Sequence, residues 1–198
     1  MKLHHLPNLL GLFRIVTTPL LVVFVALAAP WTDIAAAILL LVMAATDIAD
    51  GRLARHLQVV SPLGVFLDTI SDKIFVAGAM IPMVERGLLP AWFAVIVIVR
   101  EFGVSGLRSF AASAGVVIAA RQWGKQKMIF TVTALVWCLC HAAASASPGL
   151  PEWLLMFTGL WLIPAGLTLI WTILSGVEYF WNARAILRDA LPGNMSID

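Results

Sequence analysis

Charge is what this sequence has least of. Asp, Glu, Lys and Arg make up only 12% of its 198 residues, against about 25% in an ordinary soluble domain. With 61% hydrophobic residues and a mean hydropathy of +0.96, the chain cannot clothe a water-facing surface, which excludes the soluble globular classes. It reads as a polytopic membrane protein. The formal net charge is only +2, so nothing points to nucleic acid as a partner, and the placing of the cations matters more than their sum. Cysteine is scarce too. Cys138 and Cys140 stand as C-x-C inside an apolar run, where they read as small buried hydrophobes and fix no redox compartment. The opening MKLHHLPNLLGLFRIVTTP lacks a small-residue cleavage pattern and reads as an uncleaved start. Neither an internal repeat nor a soluble domain is visible, so residues 1–198 form one integral-membrane domain.

The apolar runs predict an all-α helical bundle of six transmembrane helices, since about 20 residues suffice to span. A short interfacial segment over residues 2–7 precedes the first helix, 8–29, which Arg14 and Pro19 interrupt. Thr32 or Asp33 is placed to cap the second, whose apolar run begins at Ile34. Ser61-Pro62 opens the third, which runs to about residue 84. The others are expected at about 91–114, 128–146 and 165–188. Residues 151–161 are too short to span and read as an interfacial or bent prelude before Pro164. Trp153, Trp161, Trp171 and Trp181 read as interface anchors and packing. Six spans put both termini on one side. Of 13 Lys and Arg residues only Arg86 falls on the other, so the positive-inside rule makes the termini cytoplasmic, in a cell (inner) membrane.

The scarce charges are not scattered. From Asp47 to Asp72 the chain reads D-x2-D-G-x2-A-R-x8-G-x3-D-x3-D, with Asp47, Asp50, Gly51, Ala54, Arg55, Gly64, Asp68 and Asp72 at the fixed positions. The first four stand at i, i+3, i+4 and i+7, one face of a helix. Gly64, Asp68 and Asp72 stand at i, i+4 and i+8 on another. Two polar stripes are thus expected to face one pocket. Two carboxylates about 4 Å apart repel by roughly 4 kcal/mol at an effective dielectric near 20, so opposing stripes of aspartate call for cations. Oxygen donors without His or Cys suit magnesium or manganese. Gly51, Ala54 and Gly64 leave the pocket floor bare for a phosphorylated ligand, and Arg55 can clamp its phosphate. Mere decoration of a membrane boundary is a poor alternative, because each aspartate at mid-membrane depth costs about 2.5 to 3.5 kcal/mol.

This pattern resembles the signature of the CDP-alcohol phosphotransferases, integral membrane enzymes that move a phosphatidyl-type group from a CDP-linked donor to an alcohol and release CMP. The resemblance implies that Asp47, Asp50, Asp68 and Asp72 surround two divalent metal ions, Mg2+ or Mn2+. It also implies that Asp72 is the general base and that Gly51, Ala54, Arg55 and Gly64 hold the CDP side of the donor. The run P-N-L-L-G-L-F-R resembles the start of bacterial phosphatidylglycerophosphate synthases, where the arginine sits near the catalytic groove. Snorkelling to the interface is the equal alternative for Arg14. V-R-E-F-G-V-S-G-L-R followed by W-G-K-Q-K resembles the same enzymes. Glu101, Ser105 and Arg108 make a polar stripe on the fourth helix with Arg100 on its flank, and Lys125 and Lys127 fall in the following connection. So much positive charge suits a phosphorylated acceptor, which the resemblance makes sn-glycerol 3-phosphate, bound by Arg100, Arg108, Lys125 and Lys127. CDP-diacylglycerol and membrane lipid are the other expected partners, and the resemblance implies a homodimer. Met128, Thr131 and Thr69 depart from the usual pattern, which leaves inositol phosphate, or phosphatidylglycerol as in cardiolipin synthesis, as rival acceptors. A membrane ion transporter is the distant alternative, disfavoured because the carboxylates cluster at one end. A non-catalytic scaffold would leave the whole signature unexplained.

Overall fold

A computed structural model describes residues 6–57, 62–113, 115–116 and 122–189. These residues form seven helices: α1 (Leu6–Ala26), α2 (Pro30–Leu57), α3 (Pro62–Glu85), α4 (Ala91–Ser113), α5 (Gln122–Ser145), α6 (Glu152–Gly159) and α7 (Leu162–Asp189). No strand occurs among the described residues. Six helices close a ring in the order α1, α2, α5, α7, α4, α3 and back to α1, while α3 also touches α2 and α5. The short α6 packs on α5.

The helix ends follow from local chemistry. α2 begins at Pro30, a residue suited to the first helical position, rather than near Ile34 as expected. Thr32 therefore acts from inside the first turn: its Oγ1 accepts the Ala29 N–H at 3.1 Å and donates to the Ala29 carbonyl at 2.8 Å. Asp33 does not cap the helix but is turned to an ion pair described below. Gly87 and Gly115 end α3 and α4 with φ of +71° and +76°, which glycine adopts without steric cost. After Gly87 the paired bonds Gly87 N–H to Val84 O and Leu88 N–H to Met83 O, both 2.9 Å, complete a Schellman motif. α1 runs unbroken through Arg14 and Pro19 and begins at Leu6, so residues 6 and 7 of the expected surface segment belong to it. α5 starts at Gln122, so Lys125 and Lys127 lie on a helix and not in a connection.

Among the described residues, four stretches are long and apolar enough to cross a membrane: Leu9–Ala26, Pro30–Ala49, Gln126–Ser145 and Glu152–Arg184. α3 and α4 are of similar length, but Asp68, Asp72, Lys73 and Glu85 on one and Arg100, Glu101 and Arg108 on the other keep them below that mark. The prelude before Pro164 forms the separate helix α6, tied to α5 by His141 Nδ1 and Thr158 Oγ1 at 3.0 Å.

Across the ring the bundle has two storeys. One half is an apolar core in which Leu21, Leu40, Met43, Phe75, Met80, Val97, Leu135 and Leu139 are wholly buried. The other half, toward the start of α1 and the ends of α2 and α4, holds buried charge.

Candidate active site

The site begins with a stripe on α1. Arg14, Thr18, Leu21 and Val25 recur at helical spacing and are 0%, 6%, 0% and 0% exposed, so an arginine heads an otherwise core-facing row. Burying a guanidinium demands anionic partners. Nη1 of Arg14 donates to Oδ1 of Asp47 on α2 and, at 2.6 Å, to Oδ1 of Asp72 on α3. Helix arithmetic explains the meeting. Arg14 stands eight residues in from Leu6, Asp47 ten from Leu57 and Asp72 ten from Pro62, or about 12 to 15 Å from the ends at 1.5 Å per residue. Gly78 on α3 completes the geometry, because a side chain there would collide with the Thr18 methyl, and its absence lets α1 lie close on α3.

Asp47 and Asp72, one from each expected stripe, therefore meet at Arg14. Asp50, Gly51, Ala54 and Arg55 continue α2 and Asp68 lies on α3, but their side chains are outside the described residues; Gly64 is half-buried in the first turn of α3. Asp47 is 13% exposed and Asp72 is 31% exposed, so Asp72 is the carboxylate more open to an incoming molecule. Both converge on a single cationic nitrogen. The arrangement fits a bound hard cation, since the donors are oxygens and already gather around positive charge.

A second charged cluster lies across the ring. Phe93, Val97, Val104, Leu107 and Ala111 form the buried row of α4, and Arg100 falls in the same row between Val97 and Val104. Gly176 on α7 leaves room for its stem, and the Tyr179 ring lies 5.8 Å from its guanidinium carbon. Arg100 Nη1 donates to Glu101 Oε1 at 2.8 Å, and buried Lys127 of α5 donates to the same oxygen. Two cations thus share one carboxylate. Arg100 Nε and Nη2 are buried and find no hydrogen-bond acceptor among the described residues. The Lys127 ammonium lies within electrostatic range of Lys73, which directly follows Asp72 in α3, so the two clusters are neighbours. Lys73 itself donates to the Thr69 carbonyl at 2.5 Å. Arg108 is exposed, seven residues beyond Glu101 on α4, and the Lys125 side chain lies outside the described residues.

At the opposite end of the bundle Arg86 closes three helices together. It pairs with Asp33 of α2, one of its contacts being Nη2 to Oδ2 at 3.0 Å, and donates to the Val25 carbonyl of α1 at 2.8 Å. The hydrogen bonds that Arg86 donates to this 1% exposed carboxylate hold the arginine pKa above its ordinary value.

Comparison with known proteins fits this geometry to a family. Residues 4–176 match the model of the CDP-alcohol phosphatidyltransferase family. The chain belongs to that family. Curated CDP-diacylglycerol–glycerol-3-phosphate 3-phosphatidyltransferases are similar to it throughout. That of Bacillus subtilis is 34% identical over 90% of this chain and 96% of its own length. That of Pseudomonas fluorescens is 34% identical over 89% and 90%, and that of Escherichia coli K12 is 33% identical over 93% and 98%. As a CDP-alcohol phosphatidyltransferase, the chain carries its signature on α2 and α3, inside the matched span. Arg14 is the residue that the motif alone did not assign. The available signal was its isolation, as the one charged side chain in the 21 residues of α1.

Proposed function

We propose that this transferase moves the phosphatidyl group of CDP-diacylglycerol to sn-glycerol 3-phosphate, giving phosphatidylglycerophosphate and CMP. The observation that carries the reading is the convergence of Asp47 and Asp72, one from each half of the signature, beside a buried cation cluster. Asp72 is the general base, being the more open of the two. It takes the proton of the acceptor hydroxyl as the hydroxyl oxygen bonds to the lipid-side phosphorus and the bond to CMP breaks. Asp47, Asp50, Asp68 and Asp72 would hold two divalent ions, Mg2+ or Mn2+. When bound, such ions supply neutralisation of the diphosphate and polarisation of its phosphorus. Gly51, Ala54, Arg55 and Gly64 hold the CDP portion, and the acyl chains remain in lipid.

The acceptor is the phosphorylated alcohol because of charge. Arg100 offers buried N–H donors beyond its bond to Glu101, and Lys127 stands beside it; Arg108 on α4 and Lys125 on α5 add to the positive charge that these two helices carry. The names of the similar enzymes favour glycerol 3-phosphate over inositol phosphate. The site faces the cytoplasm of the inner membrane, in keeping with the distribution of Lys and Arg and with water-soluble substrates. A homodimer completes the proposal, and the mass of the detergent-solubilised protein tests it.

Purified protein supplied with CDP-diacylglycerol, Mg2+ or Mn2+ and a panel of alcohols should release CMP fastest with glycerol 3-phosphate. Preference for an unphosphorylated alcohol overturns the acceptor. Asp72→Asn should lose transfer at least about a hundredfold, as removal of a general base does, while still binding donor. Near-normal turnover in that variant removes Asp72 from the base role.

A further inference from the structure

The buried arginine of α1 sits where cation chemistry is expected. A single nitrogen, Arg14 Nη1, reaches carboxylates on two different helices, and Arg14 has no exposed surface. We propose that Arg14 is the resident counter-ion of the aspartate site: it holds Asp47 and Asp72 together before a divalent ion binds and is displaced from them when one enters. The inference rests on the proposed metal role of these aspartates and adds to it a competitor from within the chain.

The argument is one of charge and place. Asp47 and Asp72 come from separate helices and repel each other unless a cation stands between them. The guanidinium does so now, through Oδ1 of each. A divalent ion taking those oxygens would face a positive group a few ångströms away in a site of low dielectric, so ion and guanidinium disfavour each other there. Once displaced, the arginine cannot stay buried without an anion. The anion that arrives with the ion is the donor's diphosphate, which a forked guanidinium suits. Thr18 ties down the backbone of this turn: its Oγ1 donates to the Arg14 carbonyl at 2.7 Å and its Cγ2 methyl lies against Gly78 of α3, so the exchange asks only the arginine side chain to move.

Manganese binding to the purified protein, read from the electron paramagnetic resonance signal of free Mn2+, tests this without any turnover. Arg14→Gln should bind Mn2+ on the order of tenfold more tightly than the parent, because a like charge is gone. Without metal the variant should melt below the parent, and saturating Mn2+ should close the gap; a purely packing role for Arg14 predicts a lower melting point that the ion does not restore. Arg14→Met, which also removes the charge while keeping a long side chain, should bind Mn2+ more tightly to a similar degree. It serves if Arg14→Gln is not recovered folded. Parent and variants binding Mn2+ equally, or the variants more weakly, overturns the counter-ion and leaves the metal reading standing. A parent that binds no Mn2+ overturns both.

Discussion

Placing a methyl group on Gly78 tests how the fold aims the site. A β-carbon built there falls inside contact distance of the Thr18 Cγ2 methyl, while its next neighbours, Val22 Cγ2 at 3.8 Å and Thr18 Cβ at 3.9 Å, are at ordinary separations. One methyl therefore carries the whole conflict. Thr18 cannot easily yield, because it is β-branched, 6% exposed and bonded through Oγ1 to the Arg14 carbonyl. Gly78→Ala must push α1 away from α3 or force Thr18 out of its rotamer. Overpacking of this kind costs about 1 to 3 kcal/mol, which for a chain of this size lowers the melting temperature by roughly 2 to 12 °C. Arg14 lies one turn along the same stripe, so its reach to Asp72 suffers too. Displacements near 1 Å at a reacting centre cost on the order of a hundredfold, and CMP release should fall by about ten- to a hundredfold. The decisive control is Thr18→Ser, which removes Cγ2 and keeps the hydroxyl. Combined with Gly78→Ala it should restore most of the melting temperature and rate, whereas alone it should do little. A Gly78→Ala protein that melts and turns over like the parent, or a double variant no better than the single one, refutes the claim that this approach positions Arg14.

Arg86→Gln should destabilise the protein by about 3 to 5 kcal/mol, because it leaves the 1% exposed Asp33 carboxylate uncompensated, and adding Asp33→Asn should recover much of the loss; coincident melting curves for parent and Arg86→Gln deny the lock any role. Arg108→Ala should raise the Michaelis constant for glycerol 3-phosphate far more than that for CDP-diacylglycerol, and equal shifts in both remove Arg108 from the acceptor site. For orientation, a cysteine introduced as Gln58→Cys should react with a membrane-impermeant reagent from the cytoplasmic side and one introduced as Gly87→Cys from the other. Reaction of both from one side rejects the proposed topology.

What could be read from the sequence was whatever one helix decides by itself. The stripes on α2 and α3 follow from spacing alone, as does the Pro62 start of α3, because period and end signals are local. Rotation of one helix against another is not local, and there the reading fell short. Arg14 could equally have faced lipid or pocket; the close approach of Thr18 to Gly78 and the bonds to Asp47 and Asp72 go with its inward face. Asp33 looked like a cap because the Pro30 start was passed over in favour of Thr32 and Asp33, and its partner Arg86 lies 53 residues away. Arg100 and Lys127 were read as cations for a ligand; that Lys127 of α5 also reaches Glu101 of α4 is a contact between helices, which spacing within one helix does not give. The start of α5 was set at the first apolar residue, although a helix that passes from water into lipid can begin in polar sequence, as this one does at Gln122.

The charges that make the site are also those that keep α3 and α4 from reading as membrane spans. Asp68 and Asp72 on one helix, and Arg100, Glu101 and Arg108 on the other, would each cost free energy in lipid. Inside the ring the costs offset in part. Asp72 meets Arg14 of α1, and Glu101 meets Lys127 of α5, so charge from a poorly inserting helix is matched by charge from a helix apolar enough to insert alone. Assembly of the bundle and formation of the site are then one event. These two matched pairs share one storey, while the other is lined by Leu21, Met43, Phe75 and Leu135 and closed at its far end by the Arg86–Asp33 pair. A transferase built this way gathers Asp47, Asp72 and the cations Arg100 and Lys127 on the same side of the apolar core. There a lipid donor can enter from the bilayer and a charged acceptor from water without either crossing the packed half.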